Sequence, residues 1–258
     1  MELDVFDEIQ RLRQLGQKAA LATVVRIPSA GSSFRTSKLL IREDGSRLGS
    51  IGSDAIEADV WAAAESVIRE EKSRIMKFET AEIFIEPILP VPKIIIFGAG
   101  HIAIQVSKIA TIAGFRSSIV DDRPEFASRE RFPEADKIIC GTLEEAAVQF
   151  QADENTYVII VTRDNQEDKH VLRWAVQTNA RYVGMIGGKA KIESITAELE
   201  REGISRERLE RVNMPIGLDI GAVLAEEIAV AIVAEVIHNR REGFRHPLSK
   251  KLSQPSSR

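Results

Sequence analysis

The chain has 258 residues, 44% of them apolar, enough for one large or two modest domains with real cores. Its 35 basic and 39 acidic residues leave a net charge of −4, which argues against nucleic acid as a partner, because a phosphate backbone attracts a basic face. A single cysteine, Cys140, excludes an intramolecular disulfide and suits a reducing compartment. Met1-Glu2-Leu3-Asp4-Val5 has no signal-peptide pattern and no apolar run nears about 20 residues, so a cytoplasmic protein without a membrane span is expected.

Val5, Ile9, Leu12 and Leu15 recur at helical spacing, and Gly16 ends the predicted helix. Ala19 to Val25 reads as a strand, and the turn-rich stretch from Arg26 to Arg35 as a loop. Lys38 to Ile41 is strand-like before a hairpin-type turn, Glu43-Asp44-Gly45. Leu48-Gly49-Ser50-Ile51-Gly52-Ser53 then leads into a helix with Val60, Ala64, Val67 and Ile68 on one face. Two readings of that turn are open. Gly49 and Gly52 free the backbone to aim N–H groups at an anion. Alternatively, Ser53 or Asp54 is a plain N-cap with Glu57 as capping-box partner. Ile75 to Phe78 and Glu82 to Ile88 are further predicted strands. Pro90 and Pro92 make a stiff connection, and the domain boundary is placed there. Residues 1–90 form a smaller α/β domain, 91–241 a Rossmann-like domain, and 242–258 a polar tail.

Ile94 to Ala103 reads as a buried strand, a Gly-x-Gly-x-x-Ala turn and the first turn of a helix: the dinucleotide-binding fingerprint with Ala in the third glycine place. Gly98 allows the tight turn and Gly100 lets a backbone approach a pyrophosphate. The helix N-terminus offers unpaired N–H groups and a positive dipole end. The helix runs to Gly114, and a second strand, Ser117 to Val120, ends in Asp121 and Asp122. Asp121 lies 23 residues after Gly98, where an acidic residue binds a ribose 2′-OH, and so favours NAD-like over NADP-like ligands.

Strands at Lys137–Cys140, Thr156–Thr162 and Tyr182–Ile186 then alternate with helices, the pattern of a doubly wound parallel sheet. Thr142 and Glu145 form a capping box for a helix to Phe150. Ligands in this class bind outside the strand C-termini. That gathers Gly98 to His101, Asp121, Thr162 to Asp164 and Gly187 to Lys189 along one rim. Gly187-Gly188-Lys189 is a second anion site or an ordinary turn followed by a solvated lysine. Cys140 reads as a small core residue rather than a nucleophile. The four histidines show no metal spacing, and only His101 sits in a phosphate turn. Two glycines and a proline surround Asp219 in Asn213–Ala222, unusual for a plain connector. The helix from Ala222 to Asn239 is expected to bury Ile228, Ile232, Val236 and Ile237. The fingerprint alone allows an NAD(P)-dependent oxidoreductase or a nucleotide-sensing Rossmann protein. No acid–base pair for a turnover reaction is evident.

Several blocks together resemble the xanthine dehydrogenase accessory protein family (XdhC/CoxI). In the first domain they are Gly31-Ser32-Ser33 with Arg35, and Gly49-Ser50-Ile51-Gly52 with Glu57. In the second they are Phe97-Gly98-Ala99-Gly100-His101, the run from Val120 to Ala127 containing Asp-Asp-Arg-Pro-Glu-Phe, Tyr182–Gly187, and Pro215-Ile216-Gly217-Leu218-Asp219-Ile220-Gly221. The similarity covers about residues 10 to 241. It implies a maturation factor, not a turnover enzyme, that binds molybdenum cofactor, assists its sulfuration by a cysteine desulfurase and helps load it into a molybdenum hydroxylase of xanthine dehydrogenase type. It implies a homodimer too. NAD(H) remains the alternative ligand. The implied cofactor-binding residues are Arg35, Gly49, Ser50, Gly52 and Glu57, then Gly98, Gly100, His101, Asp121, Asp122, Gly187, Gly188, Lys189 and Asp219, with no catalytic or metal-ligating set. Many relatives carry a cysteine where this chain has Ala55, and a Cys-Gly-Gly segment between the domains where Phe78 to Glu82 runs straight through. Those thiolates would be the soft ligands for molybdenum.

Overall fold

A computed structural model of the chain describes residues 4–26 and 38–241. Arg35 and Gly31-Ser32-Ser33 lie outside the described residues. The chain divides into two units, Met1–Val91 and Pro92–Arg258.

The first unit is an antiparallel sheet with a helix on each face. Its strands are β1 (Ala19–Arg26), β2 (Lys38–Arg42), β3 (Arg47–Gly49), β4 (Arg74–Lys77) and β5 (Glu82–Ile88), in the order β3-β2-β1-β5-β4. Alternation along β1 decides which helix each residue meets. Ala19 and Leu21 pack with Leu40 on Ile9 and Leu12 of α1 (Val5–Leu15). Ala20 and Ala22 pack with Leu39, Ile83 and Ile85 on Val60, Ala64 and Val67 of α2 (Asp54–Glu70). Strand β3 was not legible as a strand, because only three residues pair and just one of them is apolar. The run Phe78–Glu82 is not a connection between domains. It is the β4–β5 hairpin turn inside this unit, closed by the Phe78 N–H donating to the Ala81 carbonyl at 2.8 Å.

The second unit has the expected parallel sheet. Its elements are β6 (Lys93–Phe97), α3 (His101–Ile112), β7 (Arg116–Asp121), β8 (Lys137–Cys140), α4 (Leu143–Ala147), β9 (Thr156–Ile160), α5 (Asn165–Ala175), β10 (Tyr182–Met185), α6 (Lys189–Arg201), α7 (Arg206–Leu209) and α8 (Ala225–Arg240). The strand order is β10-β9-β6-β7-β8. Ile94, Ile96, Ile119, Tyr157 and Ile159 face α3 and α8, while Ile95, Phe97, Val120, Val158 and Ile160 face α4, α5 and α6. A strand buried on both faces reads as one continuous apolar run, as β6 does. Because β6 pairs with β7 on one side and β9 on the other, the crevice of this topology opens beyond the C-termini of β6 and β9.

Two helices differ from expectation. Helix α4 ends at Ala147 rather than near Phe150, with Thr142 capping it by accepting from the Glu145 N–H at 3.3 Å. Helix α8 begins at Ala225, where the Glu227 carboxylate accepts from the Val223 and Leu224 N–H groups at 2.8 and 3.0 Å. It buries Ile232 and Val236 and half-buries Ile228. Ile237, expected inside, is 39% exposed, because it lies on the side of the helix away from Ile232. Among the described residues no helix is long and apolar enough to cross a membrane.

Candidate phosphate-binding rim

Gly98 leaves β6 in the left-handed region, φ +101°, with its N–H on the Val120 carbonyl at 2.8 Å. A Cβ there would lie 2.4 Å from the Val161 carbonyl oxygen, so the turn passes the end of β9 too closely for any side chain. Gly100 is the N-cap of α3, in extended backbone, and a Cβ on it would meet nothing within 4 Å. The space above Gly100 is open. The next acceptor bond is from the Ile104 N–H to the Gly100 carbonyl at 3.2 Å. Among the described residues, no protein acceptor takes the N–H groups of Gly100, His101 or Ile102. These are the orphan donors of a helix start, with the positive end of the helix dipole behind them. His101 is the first residue of α3 and is exposed.

Asp121 does not do what its position suggests. Its carboxylate is 3% exposed and turned into the protein. One oxygen accepts from the Ala99 N–H at 2.7 Å and from Arg123 Nη2 at 2.9 Å. The other accepts from the Arg123 N–H at 3.0 Å and from Arg123 Nε at 2.8 Å. Four donors fill its acceptor positions, and none is left for a ribose diol. Burial pushes this carboxyl up. The Arg123 hydrogen bonds and the Ala99 and Arg123 amides outweigh that, so it sits below the usual carboxylate range. The Asp-Asp-Arg-Pro-Glu-Phe block thus serves to brace the glycine turn. Arg123 stacks on Phe126 at 3.6 Å from the ring centroid, and Arg131 stacks on the same ring at 4.7 Å. Arg131 Nη2 donates to the Ala99 carbonyl at 3.2 Å, which brings a guanidinium beside the open amides. Sequence reading missed Arg131. The signal was a basic residue eight after Arg123 in a loop, too generic to single out.

Asp122 is partly exposed and accepts from Arg163 at 2.8 Å across the mouth between β7 and β9. Glu167, near Arg163, is raised by burial first; the Arg163 charge opposes this, while Asp122, Asp164 and Asp121 add to it. Cys140 is not a core residue. It is exposed at the tip of the edge strand β8, with its thiol 3.8 Å from the Asp122 carbonyl.

The second glycine turn lies on the same rim. Gly188 is the N-cap of α6, without a side-chain cap, and a Cβ on it would meet nothing within 4 Å. Lys189 points away, its side chain 88% exposed and 3.9 Å from Glu193. Lys191 is the lysine at this turn. Its stem crosses Gly187, where a Cβ would be 3.1 Å from Lys191 Cδ, and its ammonium pairs with Asp168. Asp168 is fully buried and also accepts from the Thr162 hydroxyl at 2.6 Å. A buried carboxylate needs such partners. Spacing could not reveal the pair, since the two residues are brought together from different helices.

Asp219 is exposed in the loop before α8, and no contact among the described residues joins it to the Gly98 turn. The first half of its block is structural. Ile216 packs so closely on Gly184 that a Cβ there would be 2.6 Å from it. The Gly217 N–H donates to Glu235 at 2.9 Å, and Glu235 also accepts from the Tyr182 hydroxyl.

In the first unit, Gly49 ends β3 opposite Leu39. The Ser50–Gly52 turn is closed from within. Glu57 Oε1 accepts from the Ser50 hydroxyl at 2.6 Å and from the Ile51 N–H at 2.8 Å, while the Gly52 N–H donates to Ser50 Oγ at 2.9 Å. Arg47 lies 3.7 Å from the other oxygen. Burial pushes Glu57 up, but the Ser50 hydroxyl, these amides and Arg47 bring it below its ordinary range. The capping-box expectation is corrected: Ser53 is the N-cap, without a side-chain bond, Asp54 is the first helical residue, and Glu57 reaches past the cap to the turn. Ala55 is exposed on the first turn of α2. Among the described residues no three His, Cys, Asp or Glu side chains converge to hold a metal.

A five-stranded parallel sheet, a glycine turn braced by an internal Asp–Arg pair and free amides at a helix start define a Rossmann-type domain with an anion-accepting rim. Residues 94–236 match the model of the XdhC Rossmann domain and residues 12–79 that of the XdhC and CoxI family, so the chain belongs to the XdhC/CoxI family. It is 26% identical over 273 aligned residues, 98% of the chain, to the uncharacterized protein YqeB of Escherichia coli. It is 29% identical over 163 residues, 63% of the chain, to a Bacillus subtilis protein described as a probable xanthine dehydrogenase component. The matches cover 49% and 47% of those proteins, so the chain spans about half the length of the curated relatives it matches. A crystal structure described as a xanthine dehydrogenase from Bacillus halodurans superimposes with a TM-score of 0.56 at 19% identity, covering 98% of each chain; that likeness speaks to the fold alone.

Proposed function

We propose that this chain is a maturation factor for a molybdenum hydroxylase of xanthine dehydrogenase type. It binds molybdenum cofactor as cargo, by its phosphate, at the start of α3, and hands it on with the help of a sulfur-supplying desulfurase. The observation that carries the reading is the pairing of open amides at Gly100–Ile102 with an Asp121 whose acceptor positions are all filled. The turn offers hydrogen bonds to a phosphate and none to a ribose diol. This chemistry suits a pterin phosphate better than NAD(H). Arg131 adds a positive charge beside the same amides. The residues of this turn fit the cargo's phosphate; the groups that would hold it, the Gly100, His101 and Ile102 amides and Arg131, include no thiol, so their part is to bind and orient. Family membership over both domains supports the same reading.

The test is a pair of titrations on the purified full chain. Molybdenum cofactor, followed by its absorbance change, is expected to bind, and NADH, followed by fluorescence, is not. NADH binding with oxidation in the presence of a small substrate would replace this reading with the oxidoreductase one.

A further inference from the structure

The second unit carries another concentration of positive charge, away from the glycine rim. The rim lies beyond the end of β10; this one lies beside its start. A cavity of about 380 Å³ opens there, between the turn that leads from α5 into β10 and the end of α7. Two contacts set its walls. The Arg181 N–H donates to the Thr156 carbonyl at 2.9 Å and fixes the turn against β9. The Asn213 N–H donates to the Val183 carbonyl at 2.9 Å and draws the chain after α7 along β10. Val176, Val183 and Val212 give the cavity apolar surface, Arg181, Arg208 and Arg211 give it charge, and no acidic residue lines it.

Three like charges around one hollow repel one another, so the arrangement needs a reason. Capping of α5 does not supply it, because the last carbonyls of that helix are taken by the chain's own donors. Leu172 accepts from the Val176 N–H at 3.0 Å, Arg173 from Gln177 Nε2 at 2.9 Å, Trp174 from the Gln177 N–H at 3.0 Å and Ala175 from the Thr178 hydroxyl at 2.7 Å. Ion pairing along α7 does not supply it either. Arg211 meets Glu207 at 2.9 Å, but the two side chains are 75% and 79% exposed, and such a pair is worth little. Glu210 faces Arg206 instead, at 3.2 Å. Among the described residues the Arg208 side chain meets no acceptor. Arg181 Nη2 donates to the Arg240 carbonyl at 3.3 Å, a neutral acceptor that helps to hold the guanidinium in place.

We propose that this cavity binds a small organic anion with two or more negative charges, carried on carboxylate or phosphate groups. The guanidinium fork matches both groups bidentately. The volume falls at the lower end of the range for small-molecule pockets, about 300–1,000 Å³, and the valines take the ligand's carbon skeleton. The site is separate from the one proposed for the cargo and does not rest on that reading. Its test is isothermal titration calorimetry of the full chain at low ionic strength, with citrate and with pyrophosphate as probes. Both titrations use the Gly100→Asp chain, in which the new carboxylate takes the rim amides. A dissociation constant below about 1 mM is expected for at least one probe. Arg208→Gln and Arg211→Gln, both at exposed positions, should each weaken binding about tenfold with an unchanged circular dichroism spectrum. Arg206→Gln, on the same helix but outside the cavity, should leave it as it was. Whichever probe binds more tightly identifies the acid group of the ligand. No heat from either probe at millimolar concentration overturns the site. So does binding that Arg208→Gln and Arg211→Gln leave unchanged, or that Arg206→Gln weakens equally.

Discussion

The two units each carry a glycine turn opening a helix, and the two turns end in opposite states. At Ser50–Gly52 the protein supplies its own anion: Glu57 fills the turn and Gly52 gives its N–H to Ser50. At Gly98–His101 the internal carboxylate, Asp121, takes from the turn only the Ala99 amide, and among the described residues the next three amides meet no protein acceptor. The same residue types on paper therefore mean closed in one place and open in the other. The difference comes from reach. Glu57 starts within the helix and folds back over the turn before it. Asp121 arrives from a neighbouring strand and is held by Arg123 below the turn.

Changes that break this contrast should have graded effects. Gly98→Val forces a side chain into the Val161 carbonyl at a positive φ, and should cost about 3 kcal/mol or more, seen as a large drop in the thermal midpoint or loss of soluble protein. Asp121→Asn removes the charge that Arg123 answers and should cost about 2 kcal/mol in denaturant melts. Asp121 is held below its unfolded value of about 3.9, so its contribution is full above that pH and is lost as pH falls through the lower folded value. The parent should therefore lose stability on acidification through that window more steeply than Asp121→Asn. Glu57→Gln keeps the shape of the closed turn but weakens its hydrogen bonds, and should cost about 1 kcal/mol with no change in cofactor affinity.

Much of the frame could be read from residues alone. The strand–glycine–helix fingerprint, the five strands of the parallel sheet and the rim at their C-termini all follow from local pattern, because a buried strand and a helix start leave a signature within ten residues. Side-chain contacts across elements were not legible. That Asp121 belongs to Arg123 and Ala99 depends on an arginine two residues on folding back. That Lys191 rather than Lys189 sits at the second turn depends on a buried Asp168 from the preceding helix. Ile237 reads as buried because the middle of its helix, Ile228 to Ile237, is apolar at every position but Glu235 and does not say which stripe faces the core. A cysteine at a strand end reads as a small core residue; the edge position of β8, which exposes Cys140, is a property of the whole sheet.

The central claim, that the open amides above Gly100 hold the cargo's phosphate, is tested most directly by Gly100→Asp. Gly100 is already in N-cap conformation, and Asp is among the best residues there, so the helix should form as before. Its carboxylate would take the free amides for itself, making the Gly98–His101 turn a copy of the Ser50–Gly52 turn. The account predicts an unchanged melting curve and a loss of molybdenum cofactor affinity on the order of a hundredfold. Parent-like affinity in a folded Gly100→Asp protein would contradict it.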